Sequence, residues 1–94
     1  PLRVTSMWAI VGRDGFYGEP HVHEGVVSGV YYVDAGDGDG GANGAFAVYD
    51  RQHRPAHLIP PRSGLLILFP ARLPHGVMPY RGTRPRIVIA FNLA

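Results

Sequence analysis

Apolar residues in this chain come in short runs, broken every few residues by Gly, Pro or Asp. Val4 to Val11, which carries Trp8, reads as a first strand, and Gly12-Arg13-Asp14-Gly15 reads as a turn. Phe16 to Pro20 leads into His21-Val22-His23. Val26 to Val33 is rich in β-branched and aromatic residues and is the strongest strand signal of the first half. Gly44 to Asp50 is another short strand. Arg51 to Pro61 reads as a polar, proline-bearing connection. Leu65 to Phe69, bounded by Gly64 and Pro70, is continuously apolar and predicts a strand buried on both faces. Pro74-His75-Gly76-Val77 follows a short loop, and Pro85 to Asn92 is the last strand. No stretch keeps a helical period for more than about two turns. Some seven or eight short, evenly spaced strands predict an all-β sandwich, barrel or jelly roll without a linker or repeat.

Composition narrows the function classes. The 94 residues suffice for one small domain, and the 46% hydrophobic share is that of a globular chain. Thirteen glycines and nine prolines favour turns over long helices. The net charge of +2 forces no nucleic-acid reading. All nine basic residues are Arg, as in a GC-rich bacterial source. The absence of Cys excludes disulfides and thiolate metal sites. No apolar run is long enough for a membrane helix, and no signal-peptide pattern opens the chain, so a cytoplasmic bacterial protein is expected. The chain begins at Pro1 rather than Met, which suggests that an N-terminal part of the full-length protein is missing.

Asp34 to Asn43 is a stretch of Gly, Asp and Ala. Asp34, Asp37 and Asp39 offer hard oxygen donors for calcium, but the bidentate acid of a helix-loop-helix calcium site is missing. A mobile, solvated hairpin loop remote from any site is expected instead.

Histidine carries the candidate chemistry. In an extended chain residues i and i+2 share a face, so His21 and His23 can converge on one metal ion while Val22 packs on the other side. Imidazole is a ligand for zinc, copper, nickel and non-haem iron. His75 is a third candidate ligand from a distant part of the chain, and joint ligation would bring the three sets of ring nitrogens within roughly 3 to 4 Å of one another. His53 and His57 belong to no paired motif and are read as exposed. Arg86 lies eleven residues after His75, far enough to turn and return on an antiparallel neighbour. An Arg among Ile, Val, Ala and Phe is expensive to bury without an anionic partner, and its planar fork suits a carboxylate.

The combination resembles the iron(II)- and 2-oxoglutarate-dependent oxygenases, specifically a small bacterial and phage group. Four stretches carry the resemblance: Ser6-Met7-Trp8-Ala9, Pro20-His21-Val22-His23 running into Ser28 to Val33, Pro61 to Pro70 ending at His75-Gly76-Val77, and Arg86 to Asn92. The resemblance implies a cupin-like double-stranded β-helix, or jelly roll. It implies that His21 and His75 ligate iron(II), and that 2-oxoglutarate chelates the metal while Arg86 holds its far carboxylate. It further implies oxidative decarboxylation to succinate and carbon dioxide, coupled to oxidation of an unknown substrate by dioxygen. Dioxygen and a small-molecule or peptide substrate are therefore the expected partners, with a homodimer as the assembly to test and neither nucleic acid nor membrane involved.

Two positions depart from the wider superfamily, in which an acid follows the first histidine at i+2. Here that position is His23, leaving the site one negative charge short. The i, i+2 geometry favours His23 as third ligand over Glu24. At the anchor Val88 stands where a hydroxyl is common, so Tyr31 or Tyr32 is the candidate donor; alternation lets only one face inward. The rival reading is a cupin-like metal-binding or small-molecule-binding module without oxygenase activity. Gly15 and His21-Val22-His23 fit the start of a cupin motif, but Val27 and Ser28 stand where its Glu is expected. A module that binds no metal is the third reading.

Overall fold

Eight strands and no helix make up the computed structural model, which describes residues 1–94. They are β1 (Val4–Gly12), β2 (Gly18–His21), β3 (Val27–Asp34), β4 (Phe46–Tyr49), β5 (Pro55–Ile59), β6 (Leu66–Pro70), β7 (His75–Val77) and β8 (Arg86–Leu93). Two antiparallel four-stranded sheets result, ordered β1-β8-β3-β6 and β2-β7-β4-β5. Only β4 and β5 are neighbours both in sequence and in a sheet. Every other connection leaves its strand's partner behind, which is the long-range pairing of a jelly roll.

The period of β8 explains how the sheets face each other. Arg86, Val88 and Ala90 are buried, while Ile87, Ile89 and Phe91 between them are half-exposed. Residues on alternate positions point to opposite faces, so the first set looks into the space between the sheets. The register carries this inner row across the sheet: Trp8 pairs with Ala90, Ile10 with Val88, and Tyr32 with Val88 from the other side. Asn92 continues it in polar form, accepting from the Ser28 hydroxyl at 2.7 Å and donating to the Ser6 hydroxyl at 2.9 Å. The core is thin and aromatic, built on Tyr32, Phe46, Phe69 and Tyr80 with alanines between them. The outer face of this sheet is apolar too, with Met7, Val11, Tyr31, Leu66 and Leu68 exposed on it.

Three sequence expectations change. Arg51 to Pro61 contains β5; its prolines stand at the start and just beyond the end of an edge strand, where a missing N–H is tolerated. Leu65 to Phe69 is not buried on both faces. As β6 it is also an edge strand, and Leu66 and Leu68 are 51% and 56% exposed. His75–Val77 is itself a strand, β7, held between β2 and β4.

The Asp34–Asn43 loop crosses from one sheet to the other, so it is not a hairpin. Its acids also do more than face solvent. The Asp37 carboxylate accepts from the amides of Thr83 (2.8 Å) and Arg84 (3.0 Å) and from the Thr83 hydroxyl, and the Tyr80 hydroxyl lies 3.2 Å from it. These donors, the Arg84 amide first, hold its carboxyl at about 2. Asp34 forms an ion pair with Arg84 at 3.1 Å, and Asn43 exchanges hydrogen bonds with the backbone of Arg81. The loop is thereby laced to the β7–β8 connection. No helix is long and apolar enough to cross a membrane.

Candidate metal centre and cosubstrate pocket

A cavity of about 130 Å³ lies between the sheets. Trp8 and Ile10 of β1, Val30 and Tyr32 of β3, and Arg86, Val88 and Ala90 of β8 form one wall. His21, His75, Val77 and Phe46 form the other, and Phe16 and His23 reach in from the segments flanking β2. His21, His23, His75 and Arg86, named from sequence, therefore share one pocket.

His21 and His75 are direct partners across the β2–β7 pair, with ring centroids 4.3 Å apart. That pairing depends on Gly76: a Cβ there would lie 2.5 Å from the carbonyl oxygen of Gly18, so only glycine lets the strands approach. His23 is not in a strand. It sits just past β2, tied by its amide to the carbonyl of Ala71 at 2.8 Å, and Val22 is exposed rather than packed on an opposite face. The chain stays extended enough to bring the three rings together all the same. Their nitrogens lie within 4.8 Å of one another, a wider set than the roughly 3 to 4 Å expected of ligands on one ion. Glu24 is exposed in the following bend and is not in the cluster.

The hydrogen bonds of the rings set their chemistry. His21 Nδ1 lies 2.7 Å from the carbonyl of Glu19, and His75 Nδ1 lies 2.8 Å from that of Leu73. A carbonyl can only accept, so both Nδ1 atoms carry the proton and both Nε2 atoms of the neutral rings offer a lone pair. His23 Nε2 is 3.1 Å from His75 Nε2. Two nitrogens bound to one ion at about 2.0–2.2 Å stand roughly 3 to 3.5 Å apart, so this pair already has the spacing of metal ligands. Burial pushes His75 down to about 4 and His23 in the same direction, keeping both rings neutral at pH 7. Phe69 and Phe46 pack on His75 with centroids at 4.5 and 5.6 Å, and fix its ring.

Arg86 occupies the other end. It is 3% exposed and forms no ion pair within the protein. Its Nη1 donates to the carbonyl of Gly44 at 3.0 Å. Its Cζ lies 5.4 Å from the centroid of Tyr32 and 5.7 Å from that of Phe16. Of the two tyrosines, Tyr32 is the inward one, at 1% exposure, and burial pushes its phenol up while Arg86 pulls it back. Tyr31 is 41% exposed on the outer face, so its candidacy for the pocket falls. One residue along a strand reverses the face.

Residues 6–92 match the family described as "Putative 2OG-Fe(II) oxygenase". The chain belongs to this family. A search of curated protein sequences finds no match. Among solved structures the chain is similar to EvdMO1, with a TM-score of 0.77 and 18% identity over 100% of this chain and 27% of that one. It therefore spans little more than a quarter of EvdMO1. It is similar as well to an RmlC-like cupin protein from Desulfovibrio desulfuricans (TM-score 0.60, 15% identity, 98% of this chain and 80% of that one). KdgF from Halomonas sp. also matches (TM-score 0.51, 20% identity, 96% and 76% of the two chains). At these identities the structural likeness establishes the cupin-like jelly roll and no more.

Sequence reasoning missed Phe16, Phe46, Phe69 and the Gly44 carbonyl. Phe46 and Phe69 stand in apolar runs and signal only a core. Their contact with His75 depends on pairings between strands far apart in the chain, which no local pattern encodes.

Proposed function

We propose that this protein is an iron(II)- and 2-oxoglutarate-dependent dioxygenase that oxidises a small-molecule or peptide substrate. One observation carries the reading: three imidazoles whose ring nitrogens converge share an apolar cavity with a buried Arg that has no carboxylate partner. The residues fit the two groups. His21, His23 and His75 would hold iron(II), and Arg86 would hold the far carboxylate of 2-oxoglutarate. When bound, the metal and its cosubstrate supply the oxidising chemistry with dioxygen.

The chain supplies geometry and electrostatics. The Nδ1 hydrogen bonds orient His21 and His75 and fix their tautomer. Val77, Val88, Ala90 and Phe46 exclude water, which strengthens the pairing of Arg86 with an anion. Tyr32, kept protonated, can donate to the same carboxylate. Three imidazoles and one guanidinium leave the cavity without a negative charge, so a dianionic cosubstrate offsets most of the positive charge of the metal and Arg86.

Paired anaerobic titrations test the reading. Arg86→Lys keeps the charge but loses the fork, and should weaken 2-oxoglutarate binding by about 1.5–3 kcal/mol while leaving iron(II) affinity unchanged. His75→Ala should lose the metal first. Wild-type protein given iron(II), 2-oxoglutarate and air should slowly release succinate. Iron(II) binding without 2-oxoglutarate binding would instead favour the cupin-like metal-binding module, to which the fold and the all-histidine donor set also belong.

A further inference from the structure

Phe16 has no role in the chemistry above, yet its ring stands over the guanidinium that would anchor the cosubstrate. We infer that Phe16 is a positioning residue: with Tyr32 it clamps the Arg86 guanidinium in the orientation that receives the distal carboxylate of a dicarboxylate 2-oxo acid. The inference rests on the reading of Arg86 as that anchor.

Both rings lie within reach of a cation–π interaction, at 5.7 and 5.4 Å from Cζ. They come from different parts of the chain, Phe16 from the β1–β2 turn and Tyr32 from β3. The Gly44 carbonyl fixes Nη1. Gly12 makes the clamp sterically feasible. A Cβ at that position would lie 2.9 Å from Arg86 Cγ and 3.0 Å from Phe16 Cγ, forcing the two side chains aside.

Phe16 is itself held from outside the pocket. Its amide donates to Arg13 at 2.9 Å, its carbonyl accepts from the Tyr80 amide at 2.8 Å, and the Gly15 amide donates to the Tyr80 carbonyl at 2.7 Å. Tyr80 is fully buried, and its hydroxyl donates to the Arg84 carbonyl and reaches Asp37. The neighbouring Pro79 carbonyl accepts from the Gly44 amide at 3.0 Å. The ring over Arg86 and the carbonyl beside it therefore hang on one connection, residues 78–85, which the acidic loop braces. A guanidinium fixed this way loses little freedom on meeting a carboxylate, which is the gain expected of preorganisation.

The test separates the two ends of the ligand. Pyruvate carries the 2-oxo acid end of 2-oxoglutarate and lacks the distal carboxylate. Both would be titrated calorimetrically into the manganese(II)-loaded protein, and the ratio of affinities reads the Arg86 end alone. Wild type should prefer 2-oxoglutarate, and Arg86→Leu should abolish the preference. Phe16→Leu should lower the ratio about tenfold, within the range of a desolvated cation–π contact, with pyruvate affinity unchanged. Phe16→Tyr, which restores a ring, should recover most of it. A Phe16→Leu protein that keeps the wild-type ratio, or loses both ligands equally, overturns the positioning role and leaves the anchor standing. No preference in wild type, or a preference that survives Arg86→Leu, overturns the anchor reading and the inference with it.

Discussion

The two ends of the cavity are built by opposite means. At the histidine end, two of the imidazoles face each other across one strand pair, β2–β7, and the third is two residues along the same segment. Burial keeps His23 and His75 neutral, and exposure grades from His21, which is exposed, to His75, which is buried. At the arginine end a permanent charge is buried, and everything that touches it comes from elsewhere: Phe16, Tyr32, Gly44 and, behind them, Tyr80 and Asp37. A metal site needs lone pairs at fixed separations, which a single ladder can deliver. A buried charge needs several neighbours at once, which requires tertiary packing.

The largest effect should come from breaking the ladder at the histidine end. Gly76→Ala places a methyl group against the Gly18 carbonyl and pushes β2 off β7. We expect a stability loss of about 3 kcal/mol and a metal affinity reduced by about 10- to 100-fold, read by denaturant unfolding and manganese(II) titration. Arg86 lies on the facing sheet, so at manganese(II) concentrations that load the folded variant, the preference for 2-oxoglutarate over pyruvate should survive. Loss of that preference would show that the two ends are not independent.

Acid should sharpen the same contrast. In the metal-free protein His75 titrates at about 4, against 6.5 for an unperturbed ring. Between these values the unfolded chain binds more protons than the folded one, so stability falls as pH falls. The contribution is complete above about pH 6.5, and on the order of 2–3 kcal/mol is lost by pH 4.5. The guanidinium of Arg86 keeps its charge over this range. Urea midpoints at pH 7 and 4.5 check the slope, and His75→Gln should reduce it, leaving the part that the likewise lowered His23 contributes. Asp37, at about 2, titrates below this window.

The smallest effect tests whether the arginine end depends on its distant brace. Asp37→Asn weakens the contacts to Thr83, Arg84 and Tyr80 without touching the cavity. The melting temperature should drop, and the 2-oxoglutarate over pyruvate ratio should fall a few-fold, while manganese(II) affinity should hold. An unchanged ratio would confine the brace to stability.

Much of this protein is legible in its sequence alone. Short apolar runs between Gly and Pro determined an all-β chain, because no segment carried a helical period. The His-x-His spacing and the lone Arg in an apolar strand named the groups that meet in the cavity, since their chemistry is costly to bury for any other purpose. Tertiary structure decided the rest. It placed β5 inside what read as a loop and left β6 half-exposed, because a strand's burial depends on which neighbours cover it. It chose Tyr32 over Tyr31, because the register of β3 against β8 sets which face meets the cavity. It turned Asp37 from a solvated acid into a brace, because its donors lie more than forty residues away in the chain. Local patterns encode what a residue can do; the partner that makes it do so arrives from across the fold.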